Sequence, residues 1–399
     1  MTRPSALRVI PGALLLAGGV LLTHCGGSSS SHQMITTSGS NVQAIAVNGG
    51  PTNNHANGVF VSLTVCVPST SNCQTIDDVL VDTGSYGLRL LSSAGGGALT
   101  LALPTQSGPI GACAPFVDGY MWGPVATADI QISGEAASAV PVQLIDPTFA
   151  AVPAGCKSFG GPALDTLDVL RANGILGIGP FLQDCGPACA QTGSSNPGLY
   201  YDCVSTPCQV AAQPLAQQVA NPVGFFPTDN NGVIVELPKV SAATPSLSGS
   251  LVFGIGTQTN NGLSGATVFP LDSNGEFTTT FQGTAYPGFI DSGSNGLFFL
   301  DSTTTSIPTC TDNTSFYCPT STANLSATVS VAGASSTVKL AVQNADTLFS
   351  NQSAFVFPDL AGPNSGTFDW GLPFFFGRNV FTAIESASTP GGTGPYWAF

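Results

Sequence analysis

Val81-Asp82-Thr83-Gly84-Ser85-Tyr86-Gly87-Leu88 and Ile290-Asp291-Ser292-Gly293-Ser294-Asn295-Gly296-Leu297 are one design written twice in this chain. In each copy an apolar stretch runs into Asp-Thr/Ser-Gly-Ser, and apolar sequence resumes after a further Gly. A strand of hairpin character precedes each copy, residues 58–65 before the first and 276–281 before the second. An apolar stretch closed by Gly follows each: Gly174-Ile175-Leu176-Gly177-Ile178-Gly179, and Phe368-Asp369-Trp370-Gly371 leading into Phe374-Phe375-Phe376. Asp82 and Gly177 are 95 residues apart, Asp291 and Gly371 are 80. A single Asp-Ser-Gly-Ser is what any β-turn selects. A matched pair in matched surroundings marks two related halves.

Outward from these segments the chain reads as many short alternating strands, at residues 59–65, 79–81, 128–132, 250–253 and 327–331. Helical signals are brief, the best at 164–172 and 214–220. The 399 residues include 48 Gly and 30 Pro, with β-branched and aromatic residues spread throughout, which suits a mainly β protein rich in turns. A hydrophobic fraction of 43% is enough for a large core and removes disordered and coiled-coil readings. Eight Lys and Arg against 22 Asp and Glu give a net charge of −14, which opposes any hold on a phosphate backbone and excludes nucleic acid as a main partner.

The paired loops carry a family resemblance: from about Val42 onward the chain resembles the pepsin-like aspartic proteases. Bacterial exported families of unknown function share the pattern. Residues 250–256 and Thr267-Val268-Phe269-Pro270-Leu271 also resemble the opening of the pepsin second lobe. The resemblance implies a bilobal, mainly β fold of two β-barrel-like lobes with an active cleft between them. The N-terminal lobe would be 42–247, with a Cys-rich insertion, and the C-terminal lobe 248–399. Asp82 and Asp291 would be the catalytic pair, with Thr83 and Ser292 cross-linking the loops beneath it. The protein would be a monomer that acts on a polypeptide substrate and needs no cofactor and no metal.

The residue types suit that chemistry. Hydrolysing a peptide without metal, Ser or Cys requires a water that loses a proton as it attacks and a carbonyl that gains one. One ionised carboxyl beside one protonated carboxyl meets both needs, and mutual repulsion keeps the two apart in titration. Gly84 and Gly293 let backbone N–H groups approach the acids, and Ser85 and Ser294 donate to their outer oxygens. Hydroxyl donors favour the charged carboxylate, so the two serines predict an acidic pair and best activity at acidic pH.

Phe116-Val117-Asp118-Gly119-Tyr120-Met121-Trp122-Gly123 reads as a hairpin turning at Asp118-Gly119. Pepsins close a similar hairpin over substrate with a Tyr, so Tyr120 is the candidate flap residue, with Trp122 and Phe116 as alternatives. The family has Trp seven residues after the first catalytic Asp. Here that position is Arg89, which implies altered subsite chemistry or a lost flap.

Other chemistries find little support. No His follows His55, which excludes Ser-His-Asp and His-metal sites from the body of the chain. Ser336-Thr337-Val338-Lys339 fits the bare Ser-x-x-Lys spacing but reads as strand. Gly174–Gly179 lacks the Lys of a phosphate loop. Asp77, Asp78 and Asp369 lack the dense spacing of a calcium loop and read as solvated or turn residues.

Residues 1–24 read as an export signal: Arg3 and Arg8, then a 14-residue apolar run at 9–22, short of the roughly 20 needed to span a bilayer. Leu22-Thr23-His24-Cys25 resembles a lipoprotein lipobox, with His24 in place of the usual small residue, making Cys25 the lipidation candidate and any membrane attachment that of its lipid. Residues 25–41 read as a flexible tether. The expected location is the bacterial cell envelope, lipid-anchored and facing the periplasm, or secreted. Setting Cys25 aside leaves ten of the 11 Cys, enough for five disulfides. Four pairs are close in sequence, Cys113 and Cys156 remain, and spacing does not settle connectivity. The sequence therefore predicts an exported aspartic endopeptidase. The alternative is a non-catalytic module of the same fold that binds peptide, glycan or an envelope protein.

Overall fold

Strand Gly58–Cys66 shows how this composition makes sheet. Val59, Val61, Leu63 and Val65 alternate into the main core, while Phe60 faces the other way into a second cluster with Leu80 and Leu91. The second face is covered at Phe60 and opens at Ser62 and Thr64, while the β-branched residues fill the main-core face. The computed structural model describes residues 35–106 and 108–399. The export signal, the lipidation candidate Cys25 and the tether as far as residue 34 lie outside the described residues.

The strands form a 15-stranded sheet, a seven-stranded sheet and a two-stranded ribbon. In the largest sheet, strand Gly58–Cys66 pairs with both Cys73–Asp82 and Gly119–Ile132, curling the first half toward a barrel. Val42–Asn48 pairs with Leu247–Phe253, which in turn pairs with Gly232–Leu237. The expected lobe boundary at 247/248 thus falls inside a continuous sheet to which both halves contribute. The seven-stranded sheet is built wholly from the second half.

Each half repeats one motif. Strand Cys73–Asp82 lies parallel to Gly174–Ile178, which is also antiparallel to Tyr86–Leu91. In the second half, Thr284–Ile290 lies parallel to Asn364–Trp370, which is antiparallel to Leu297–Leu300. A strand from far along the chain is therefore threaded between the two strands flanking each Asp loop. The expected strands all appear. The helical segments are shorter than expected, four residues at Leu167–Leu170 and a single 3-10 turn at Leu215–Gln217, because surrounding Pro and Gly give no length for a helix to propagate.

All ten cysteines of the described residues are bridged: Cys66–Cys73, Cys113–Cys156, Cys185–Cys189, Cys203–Cys208 and Cys310–Cys318. Such density suits an oxidising compartment. Among the described residues no helix is long and apolar enough to cross a membrane.

Candidate active site

Asp82 ends its strand after Val79, Leu80 and Val81, all buried, and Asp291 follows directly on Ile290, buried at the end of its own strand. Gly and Ser then break each strand into a tight loop. Within each loop the same two bonds form. The Gly84 N–H donates to Asp82 Oδ1 at 2.8 Å and the Ser85 hydroxyl to Oδ2 at 2.5 Å. The Gly293 N–H donates to Asp291 Oδ1 at 2.7 Å and Ser294 Oγ lies 2.8 Å from Oδ2.

The loops meet each other through the two hydroxyls below the acids. Thr83 Oγ1 donates to the Ile290 carbonyl at 3.1 Å and accepts from the Ser292 N–H at 2.9 Å. Ser292 Oγ donates to the Val81 carbonyl at 2.7 Å and accepts from the Thr83 N–H at 3.1 Å. This reciprocal lattice brings the two loops together so that each carboxyl lies against the other loop's glycine. The glycines make room for it. A Cβ on Gly84 would lie 2.5 Å from Asp291 Cγ, and one on Gly293 would lie 2.8 Å from Asp82 Cγ. Each missing Cβ is occupied by the other loop's acid.

Burial, then repulsion from Asp291, holds Asp82 well above the ordinary carboxylate range, against the pull of Ser85 and Gly84. The expectation that the serine hydroxyls keep this acid low is corrected: desolvation and a like charge outweigh two donors.

Two residues beside the pair are ones the sequence reading missed. Tyr86 is half-buried, and its phenol is pushed up by burial and by the charges of Asp82, Asp291 and Glu385. Asp369, read from sequence as a solvated or turn residue, is only 6% exposed, and its Oδ2 lies 2.6 Å from Ser294 Oγ. The one local signal is that this acid stands alone between Phe368 and Trp370, and it does not say which way the carboxyl points.

The expected flap hairpin forms, from Ile110–Phe116 and Gly119–Ile132, but Phe116 pairs with Gly119, so the turn is Val117-Asp118 rather than Asp118-Gly119. Gly119 serves packing instead: a Cβ there would lie 2.3 Å from the Pro162 carbonyl. Tyr120 and Trp122 are 8% and 2% exposed, packed with the Cys113–Cys156 bridge and Tyr201, and Trp122 Nε1 donates to the Ala150 carbonyl. They anchor the hairpin rather than offer a surface to substrate. At the tip Val117 is fully exposed, and Asp118 is raised by burial first, with a smaller contribution from the charge of Asp291.

Arg89 is likewise buried away from the position of a substrate contact. Its guanidinium pairs with Asp184 at 2.9 Å and bonds Gln143. The Tyr200 hydroxyl donates to the other oxygen of Asp184 and accepts from the Val219 N–H. Among the described residues, the one grouping with metal-ligand spacing is Cys310, Cys318 and Asp346, and its two sulfurs are tied in a disulfide.

Among solved structures, the fold is similar to that of the aspartic proteinase from Irpex lacteus, with a TM-score of 0.52 over 90% of this chain and 96% of that one, at 14% identity. Likeness at that identity is one of fold, and it places this chain among mainly β, pepsin-like architectures. No curated protein matches the sequence. A family model described as "Protein of unknown function (DUF3443)" matches residues 37–399, and the chain belongs to that family.

Proposed function

We propose that this protein is an aspartic endopeptidase whose catalytic pair is Asp82 and Asp291. The observation that carries the reading is the reciprocal geometry of the two loops, in which each glycine leaves space for the opposite acid. A pair held that closely ionises once before it ionises twice. In the singly protonated state the carboxylate takes a proton from an attacking water while the carboxylic acid protonates the peptide carbonyl. The tetrahedral intermediate then collapses: the carboxyl that took the water's proton gives it to the nitrogen, the other carboxylate takes a proton from a hydroxyl of the intermediate, and the C–N bond breaks, which restores the singly protonated pair. Thr83 and Ser292 hold both acids in position throughout.

The test is digestion of an unstructured polypeptide across roughly pH 2 to 8, the range over which such a dyad titrates. Wild type, Asp82→Asn and Asp291→Asn are compared, with folding checked by circular dichroism. Cleavage by wild type and a loss of at least about 10³-fold in both variants is expected. Folded wild type that cuts nothing overturns the reading and favours a binding module. The burial of Tyr120 and Trp122, which withdraws both candidate flap aromatics from a ligand, would then be the supporting feature.

A further inference from the structure

Ser294 Oγ stands between two carboxyls, 2.8 Å from Asp291 Oδ2 and 2.6 Å from Asp369 Oδ2. A serine hydroxyl has one hydrogen to give. If both acids were ionised, one of these contacts would set an acceptor against an acceptor, so one of the acids is itself a donor. The surroundings say which. Asp291 Oδ1 accepts the Gly293 N–H, giving this carboxylate two donors, whereas Asp369 is buried and its Oδ1 has no hydrogen-bond partner. An ionised Asp369 would be a buried charge with one donor; a protonated one gives its hydrogen to Ser294 and frees the serine's for Asp291.

The internal repeat shows that the fold does not ask for an acid here. Asp369 pairs in parallel register with Phe289, two residues before Asp291. The matching position in the first half, paired with Leu80 two residues before Asp82, is Ile175. Ser85 accordingly donates to Asp82 with no third acid behind it. Local donors to the two carboxyls are otherwise the same, so among their hydrogen-bond partners Asp369 is what breaks the symmetry, in the same sense as the deeper burial of Asp82.

We propose that Asp369 is a third, proton-bearing carboxyl of the site, a positioning residue that acts through Ser294 to make Asp291 the ionised member of the pair and Asp82 the proton carrier. The directed chain Asp369 O–H to Ser294 O–H to Asp291 polarises the serine and strengthens its bond to the carboxylate. The charges bearing on Asp369 are Asp291 and Asp82. Those bearing on the pair include Asp118 from the hairpin tip, with Tyr86 and, beside Tyr86, Glu385 at its margin. None of these is a cation. Burial and the Asp291 charge hold Asp369 high, which agrees with the geometry.

This role rests on the endopeptidase reading, and two measurements separate its failure from that reading's. The first needs no activity. In the infrared difference spectrum between wild type and Asp369→Asn near neutral pH, the variant is expected to lose the C=O stretch of a carboxylic acid. Loss of a carboxylate band instead overturns the proposal. The second is the pH–rate profile. The acidic limb reports the first ionisation of the pair, and without the relay the carboxylate held by Ser294 is less stabilised. Asp369→Ile, which copies the other half, is expected to move this limb up by about one pH unit, tenfold in proton affinity. Asp369→Asn, whose amide can donate to Ser294, is expected to recover part of the shift. An acidic limb that stays in place in Asp369→Ile overturns the role, and a wild type with no activity leaves the infrared result to decide the protonation.

Discussion

Gly84 and Gly293 are the residues whose smallness decides the site, because what they leave out is filled from the other half of the chain. A methyl at 84 would overlap the Asp291 carboxyl, and nothing flexible stands there to give way. Gly84→Ala is therefore expected to push the acids apart and lower kcat by at least about 100-fold, the scale of a misplacement near 1 Å. Thermal melting measured alongside should show a folded protein, and an unchanged kcat would contradict the geometry. At this scale the catalytic candidates were legible, since Asp, Gly and Ser at fixed spacing are local facts. Asp369 was not, because spacing alone cannot tell an acid on the wet side of a strand from one aimed inward at Ser294.

At the scale of elements, the network around Arg89 joins the strand Tyr86–Leu91 to the Cys-rich insertion through Asp184, the neighbour of Cys185. Burial keeps Asp184 above its usual range even beside the guanidinium, so the pair is held by geometry more than by net attraction. Arg89→Met is expected to lower stability by about 3–5 kcal/mol near neutrality, the usual consequence of stranding a buried carboxylate. The loss should shrink at acidic pH, because a protonated Asp184 no longer leaves a buried charge unpaired. Denaturant unfolding at the two pH values checks this; an equal loss at both would mean that packing rather than charge is responsible. The hairpin itself was legible from its aromatic alternation. Its turn was not, because Gly119 suited a turn by sequence while its close approach to Pro162 comes from a segment more than forty residues on.

Across the whole molecule, resolved carboxyl shifts run mostly upward: Asp82, Asp184, Glu236, Asp359 and Asp369 are all raised, with burial as the leading cause. Glu135, buried against Asp229, is pushed from 4.5 to about 7. A raised acid stabilises the fold fully below its unfolded value, and that contribution is lost as pH rises through its folded one. His55, lowered to about 4 by burial, works in the opposite sense, its contribution lost as pH falls from 6.5. The acids are more numerous, and only eight basic residues are present to offset the added negative charge. The melting temperature is therefore expected to be higher at pH 5 than at pH 8, with Glu135→Gln flattening part of the slope. A higher melting temperature at pH 8 would contradict this balance. The sequence by itself determined the mainly β class, the duplication and the two Asp loops, because alternation and turn chemistry act between near neighbours. Only the tertiary structure decided that Asp369 stands behind Ser294, that Arg89 is paired with Asp184 and that Tyr120 and Trp122 are packed away. Burial and partner choice depend on which distant strands are threaded together, and no local pattern of residues carries that information.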